Sequence, residues 1–446
     1  MQVLNETSDS LNKFRMSLFI FIGLVFFGYI FRTLAPFNFE FTLVVAGLIS
    51  GYVLWKTRPV KIDRAILTWF LVLFLYWFTT LIASIYHAPL EGRALSVLNV
   101  VNSVILFAII LLALIKLKPG VDFFWGLIGV ASISVLVLMI MEVNATGWAE
   151  VLNGQRFGRE YSHPVKLGVY ANTFFIVLLG SLPWAYRKNV SFFIAWVVMI
   201  IALLLSVIFI QTRTAWIGWP EAIIGWGAYY LYLLKSVDNK NWKLKFMAIA
   251  SFLVLIIVLV SQSSVTNVVE KRIGAIFDNI ETYTSRETFN TSVGARLLSY
   301  EAALVGIKEN PWMGIGENLF MEFQKQKSSE LAQQIFDTQF SGFTFTQIHN
   351  QFLMSWLTKG VFALISVVLI FVFLISYFVV GLKHSRAEDK AIWVAGLVFS
   401  VAAFMSFMPE TPLQKSDTAT HFFLMATLLL AFTNLTKINN QKVEKG

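Results

Sequence analysis

Uninterrupted apolar runs of about twenty residues recur along this chain, and no other feature narrows its fold as much. A helix rises about 1.5 Å per residue, so about twenty apolar residues cross the ~30 Å hydrocarbon core of a bilayer. The runs are continuous rather than alternating, which excludes a transmembrane β-barrel, whose strands read apolar and polar in turn. Only 14% of the residues are charged, where soluble domains carry about 25%. The expected fold class is an all-α polytopic membrane protein.

Twelve runs are candidate spans: Met16–Thr33, Phe39–Trp55, Ala65–Ser84, Ala94–Ile115, Val121–Met141, Leu167–Tyr186, Ser191–Ile210, Trp216–Leu234, Phe246–Gln262, Val361–Val380, Ala391–Met408 and Phe422–Leu435. The second and the last are short for that thickness. The polar stretch Met1–Arg15 precedes a run with no small-residue cleavage site after it, so this run reads as a retained span. Twelve crossings put both termini on one side. Twenty of the 35 lysines and arginines then fall in short loops and tails on that side, Lys56, Lys116, Lys188, Lys243 and Arg386 among them. Short-loop positive charge stays cytoplasmic, so both termini are expected in the cytoplasm and the chain in the bacterial inner membrane. Orientation also accounts for the net charge of +9, with membrane lipids rather than nucleic acid as the surrounding partner. The absence of cysteine excludes disulfides, thiolate nucleophiles and Cys-ligated metals.

One stretch breaks the pattern. Residues Gln262 to Gln347 are mixed in polarity and rich in Glu, Lys, Asn, Gln and Thr. On this topology they form one large, mostly helical periplasmic loop. The chain then divides into residues 1–261 with nine spans, 262–348 as the loop, and 349–446 with three spans and a cytoplasmic tail. Within the loop, helices are expected near Val265–Ile280, Ser292–Lys308 and Asn318–Ile335. Leu297, Tyr300, Leu304 and Ile307 give the second an apolar stripe at helical spacing. Asn310-Pro311 ends it, because the residue before proline avoids the helical region, and Gly314-Ile315-Gly316 reverses the chain. His349-Asn350-Gln351-Phe352-Leu353 then opens a new apolar helix.

Three residues stand out chemically. Arg213 sits in the tight turn Gln211-Thr212-Arg213-Thr214-Ala215, on the side where positive charge is disfavoured. It reads either as an anion-binding group or as an arginine snorkelling to the headgroups. Arg296 lies in the first turn of its expected helix, where a cation opposes the helix dipole. Free backbone N–H groups there suit a phosphate, and the alternative is a surface arginine paired with Glu301. His349 opens its helix above Phe352, Leu353, Trp356 and Leu357. A helix N-terminus keeps an imidazole neutral and able to accept a proton; the alternative is an interfacial cap. Arg156, Arg159 and His163 border the same outer face and read as cavity-lining or as solvated loop. Glu221 beside Pro220 is an intramembrane carboxylate or a satisfied polar group at a kink, and His384 is plain surface. No His, Asp and Glu spacing suits a metal, and neither a phosphate-binding loop nor a dinucleotide fingerprint is present, so no cofactor is expected.

His349-Asn350-Gln351-Phe352-Leu353, with Gly360 opening the next span, resembles the signature of the O-antigen ligase and O-antigen polymerase superfamily. Gly294-Ala-Arg-Leu-Leu-Ser-Tyr-Glu-Ala-Ala and Asn310-Pro-Trp-Met-Gly-Ile-Gly-Glu-Asn resemble that family's long periplasmic loop, and Gln211-Thr-Arg-Thr-Ala its short arginine turn. The resemblance runs from about Tyr161 to Gly360. It implies a GT-C-like fold and a metal-independent glycosyltransferase. The donor it implies is an undecaprenyl-diphosphate-linked glycan. Arg213 and Arg296 would hold the diphosphate, and His349 would orient or deprotonate the acceptor hydroxyl. Asn350, His163, Arg156 and Arg159 would contact substrate. The motif with its downstream glycine favours a ligase, with lipid A–core as acceptor. A polymerase, which extends a carrier-linked chain from the same donor, is the alternative, and a protein O-oligosaccharyltransferase is a third. A lipid-linked oligosaccharide flippase predicts mid-span ionisable residues and matching halves, whereas most candidate polar residues here sit at the outer surface and the halves are dissimilar.

Overall fold

The computed structural model describes residues 2–34, 38–57, 62–152, 155–158, 160–236, 264–337, 346–386 and 389–443, and all regular structure among them is helical. In chain order the helices are α1 (Gln2–Ile30), α2 (Phe39–Lys56), α3 (Arg64–Tyr86), α4 (Gly92–Leu117), α5 (Val121–Thr146) and α6 (Trp148–Leu152). They continue with α7 (Pro164–Leu178), α8 (Leu182–Tyr186), α9 (Val190–Phe209), α10 (Arg213–Trp216) and α11 (Trp219–Ser236). The loop contributes α12 (Ser264–Thr284), α13 (Gly294–Glu309), α14 (Phe320–Phe336) and α15 (Gln351–Lys359). The last three are α16 (Val361–His384), α17 (Lys390–Phe407) and α18 (Ser416–Val443).

Among the described residues, ten segments are long and apolar enough to cross a membrane, so this is a multi-pass membrane protein. They correspond to ten of the twelve expected spans. The eighth is present as α11, but Glu221, Lys235 and Tyr229, Tyr230 and Tyr232 leave it less apolar than the ten. The ninth, Phe246–Gln262, lies outside the described residues.

The last span corrects its expected length. The crossing segment runs over Ser416–Lys437, nearly all of its residues are buried, and it packs against α1, α4, α5 and α17. The sequence hides its start because Ser416-Asp417-Thr418 and Thr420-His421 are polar. The bundle supplies their partners. Asp417 binds the Lys166 ammonium and lies 3.3 Å from Arg32, and His421 Nδ1 meets the Tyr29 hydroxyl at 2.8 Å. Paired in this way, polar groups are tolerated inside a span.

The four loop helices form a layer over one end of the bundle. α13 buries Leu298, Ala302, Ala303 and Ile307, whereas Leu304 is exposed, so the expected stripe is rotated by about one residue. The small residues on that face let α13 approach closely, and Gly306 meets Phe323 of α14 and Leu357 of α15. Ile348, Met354 and Leu357 share this core, so the layer extends through α15.

The Gly-Ile-Gly turn caps α15 rather than merely reversing the chain. Ile315 N–H donates to the Leu357 carbonyl at 2.8 Å, and Gly316 N–H to that of Thr358 at 3.1 Å, satisfying carbonyls that a helix end leaves open. Gly360 joins α15 to α16 at φ +83° and ψ 179°, a region essentially confined to glycine. A Cβ there would sit 1.8 Å from the Trp312 carbonyl oxygen. Gly360→Ala is therefore expected to fall at the severe end of single substitutions, about 4 kcal/mol or more. The readout is loss of the monodisperse peak in size-exclusion chromatography of detergent-solubilised protein; a wild-type melting temperature would contradict it.

Candidate active site

Between the loop layer and the bundle lies a cavity of about 420 Å³. Its mouth carries His163, Lys166, Arg296, His349, Glu410 and Lys415. Its deeper wall is Val169 and Ile176 of α7, Phe399 and Phe407 of α17, and Phe422 of α18. Four separated parts of the chain supply these groups, and each is positioned by local structure.

His349 does not open α15, as its sequence position suggested. It stands one residue before the helix cap, in the left-handed region at φ +59°. Such a conformation costs a non-glycine residue about 1–2 kcal/mol, and the surroundings hold it. The Tyr300 hydroxyl of α13 donates to the His349 carbonyl at 2.9 Å. Asn350 is the cap, its Oδ1 accepting from Phe352 N–H and Leu353 N–H, each at 3.0 Å. Asn350 Oδ1 thus serves as a cap that ends the turn bearing His349, and Asn350 is not among the residues lining the cavity.

Arg296 is in the first turn of α13, as expected, and reaches into the cavity. Its carboxylate partner is Glu410 rather than Glu301, with Nη2 at 3.7 Å from Oε1. The same oxygen lies 3.4 Å from His349 Nδ1. Burial raises the Glu410 pKa, but His349, Arg296 and Lys415 outweigh it and hold the carboxyl below its usual range. It is a carboxylate at neutral pH. Burial and the neighbouring Lys166 push Lys415 down from its ordinary value, against the pull of Glu410 and Asp417.

His163 lines the cavity and caps α7 through Nδ1, which accepts from Val165 N–H at 3.3 Å. Burial, Lys415 and Lys166 lower its pKa, so the ring is neutral at pH 7. Arg156 is not among the residues lining the cavity. Its Nε donates to the Ile210 carbonyl at 3.1 Å and Nη2 to Thr212 Oγ1 at 3.3 Å, which braces the turn leading into Arg213. Arg213 begins α10, and its neighbour Thr214 lines the cavity. The Arg213 side chain and all of Arg159 lie outside the described residues. Glu221 is in the first turn of α11 and His384 ends α16; neither lines the cavity.

Glu410, Lys415 and Lys166 escaped the sequence reading. The available signal was Pro409-Glu410-Thr411-Pro412, an acid flanked by prolines at the end of a span. The proline-restricted backbone holds the carboxylate at the cavity mouth. Chemically, the assembled mouth can bind an anion through its cations and accept a proton on an imidazole. The walls beneath can hold an apolar chain.

Parts of the chain are similar to known proteins. The chain is 28% identical over 240 residues to an uncharacterized protein of Haemophilus influenzae, a match covering 53% of this chain and 55% of that protein. The aligned region is thus about half the length of the relative. Residues 197–368 match the family model described as O-antigen ligase. That segment holds Arg213, Arg296 and His349, while His163, Glu410 and Lys415 lie outside it. This match, over rather more than a third of the chain, supports its likeness to the O-antigen ligase and polymerase superfamily.

Proposed function

We propose that the protein is an O-antigen ligase that transfers a glycan from an undecaprenyl-diphosphate carrier to a sugar hydroxyl of lipid A–core. The observation that carries this reading is one cavity that joins Arg296, Lys415 and His349 to an apolar wall between α7 and α17. A donor with a diphosphate between a sugar and a polyprenyl tail needs both surfaces at once. The acceptor oxygen bonds to the anomeric carbon as that carbon's bond to the carrier phosphate breaks. Undecaprenyl diphosphate leaves, and the hydroxyl proton passes to the His349 imidazole.

Arg296 and Arg213 neutralise charge growing on the leaving diphosphate. Arg296 is held only loosely by Glu410, at 3.7 Å, and is free to turn toward a stronger anion. His163 contacts the donor from the cavity wall, with Arg159 a further candidate contact; Arg156 and Asn350 brace the turns before α10 and α15. The Lys and Arg bias supports an inner-membrane chain with cytoplasmic termini and a periplasmic cavity beneath the loop layer.

The test is transfer by purified protein given undecaprenyl-diphosphate-linked O-polysaccharide and lipid A–core, with EDTA present. The expected result is capped lipopolysaccharide together with released undecaprenyl diphosphate. Longer carrier-linked chains would instead identify a polymerase. Movement of intact donor between leaflets with no new glycosidic bond would overturn the reading in favour of transport.

A further inference from the structure

The proposed reaction leaves open which imidazole nitrogen takes the proton, and a carboxylate that the family match does not reach decides it. We propose that Glu410 is a positioning residue: it accepts a hydrogen bond from the Nδ1–H of His349, which leaves Nε2 as the bare nitrogen facing substrate, and it compensates the positive charge when Nε2 is protonated. This rests on the glycosyl-transfer reading for its consequence, but not for its geometry.

Two groups compete for His349 Nδ1. Gln347 Nε2 is at 3.2 Å and Glu410 Oε1 at 3.4 Å. An amide N–H pointing at Nδ1 would require the ring to be protonated at Nε2, and the Glu410 carboxylate would then face a lone pair. The opposite tautomer satisfies both neighbours. An amide flip turns Gln347 Oε1 toward Nδ1–H, and its N–H₂ then donates to Thr411 Oγ1, which stands 2.6 Å from that end of the amide. A charged acceptor also outweighs a neutral amide by roughly a factor of two.

The requirement from Glu410 points the same way. The residue is 8% exposed, and Oε1 is buried with no hydrogen bond of good geometry among the described residues. A buried carboxylate oxygen needs a donor. Besides Arg296 at 3.7 Å, the His349 ring nitrogen is the group within reach. At 3.4 Å the contact is long, and a small ring rotation closes it. The arrangement parallels the orienter–base logic of a catalytic triad, in which the carboxylate sets the tautomer and does not itself take the proton.

The experiment is long-range ¹H–¹⁵N correlation of full-length, ¹⁵N-histidine-labelled protein in nanodiscs, with the His349 signal assigned by its loss in His349→Ala. The wild type is expected to carry the proton on Nδ1. Glu410→Ala is expected to shift the ring toward the Nε2–H form. Glu410→Gln, whose carbonyl still accepts, is expected to keep the Nδ1–H form while losing the charge. In the transfer assay both variants are expected to lower kcat by about 10²–10⁴-fold, with little change in donor KM. A wild-type Nε2–H ring, or a tautomer indifferent to Glu410→Ala, overturns the proposal even if transfer depends on His349. The expected tautomers without any transfer activity would leave the placement of Glu410 standing and remove the glycosyl-transfer reading instead.

Discussion

His349→Ala is expected to lower glycan transfer by about 10²–10⁴-fold, the range supplied by a positioned general base. Arg296→Ala is expected to cost about 10²–10³-fold, as when one group stabilising a developing anion is removed. The side chains are 31% and 33% exposed at the cavity, so truncating either opens no core void, and both proteins should fold. Unchanged elution and melting profiles beside lost turnover would therefore locate the effect in chemistry. Arg296→Lys should rescue little, because an ammonium cannot offer the planar paired donors that suit a phosphate. Wild-type turnover in His349→Ala would remove the base from the mechanism, and in Arg296→Ala it would leave the diphosphate to other cations.

Glu317→Ala is expected to be, with Gly360→Ala, among the most damaging substitutions outside the cavity. Its carboxylate is buried where the loop layer meets the bundle. Oε1 accepts from Lys359 Nζ at 3.0 Å, Thr358 Oγ1 at 3.0 Å and Gln414 Nε2 at 3.2 Å. Oε2 accepts from Arg93 Nε at 3.0 Å, and Arg93 Nη1 donates to the Thr346 carbonyl at 2.7 Å. One side chain thus fastens the end of α15, the start of α4 and the turn before α18. Removing it strands Lys359, whose side chain is 3% exposed, as an uncompensated buried cation, at a cost of about 3–5 kcal/mol. The double variant Glu317→Leu with Lys359→Met should recover much of that loss, since paired apolar replacement leaves no buried charge.

The same network sets an acid limit. Burial raises the Glu317 pKa, but Lys359 and Arg93 outweigh it and hold the carboxyl below its usual range. Its folded pKa is therefore the lower one. The stabilisation is fully present above the unfolded value and is lost as pH falls through the folded value. A melting temperature that declines below about pH 4 in the wild type, with a weaker decline in the double variant, is the expected signature. Equal acid sensitivity in both would place the limit elsewhere.

Much of this architecture is legible in the residues themselves. Apolar length and continuity are local properties, and the ten crossing segments follow from them. The loop helices were also placed to within a few residues, because Asn310-Pro311 and the turn glycines act on their immediate neighbours. Arg296 and His349 were identified from their positions near helix starts, and both line the cavity.

Other features depend on groups distant in sequence. The sequence alone determined an all-helical membrane chain with a cationic, histidine-bearing outer stretch, because hydropathy and turn chemistry are written residue by residue. Only the tertiary structure decided that Glu410 meets both Arg296 and His349, that Asn350 is occupied as a cap, and that Arg156 braces a turn. It also decided that the polar start of α18 lies within the most buried span, with Asp417 bound to Lys166 and His421 to Tyr29. A buried charge is stable only where its partner stands, and that partner is chosen by packing rather than by sequence distance.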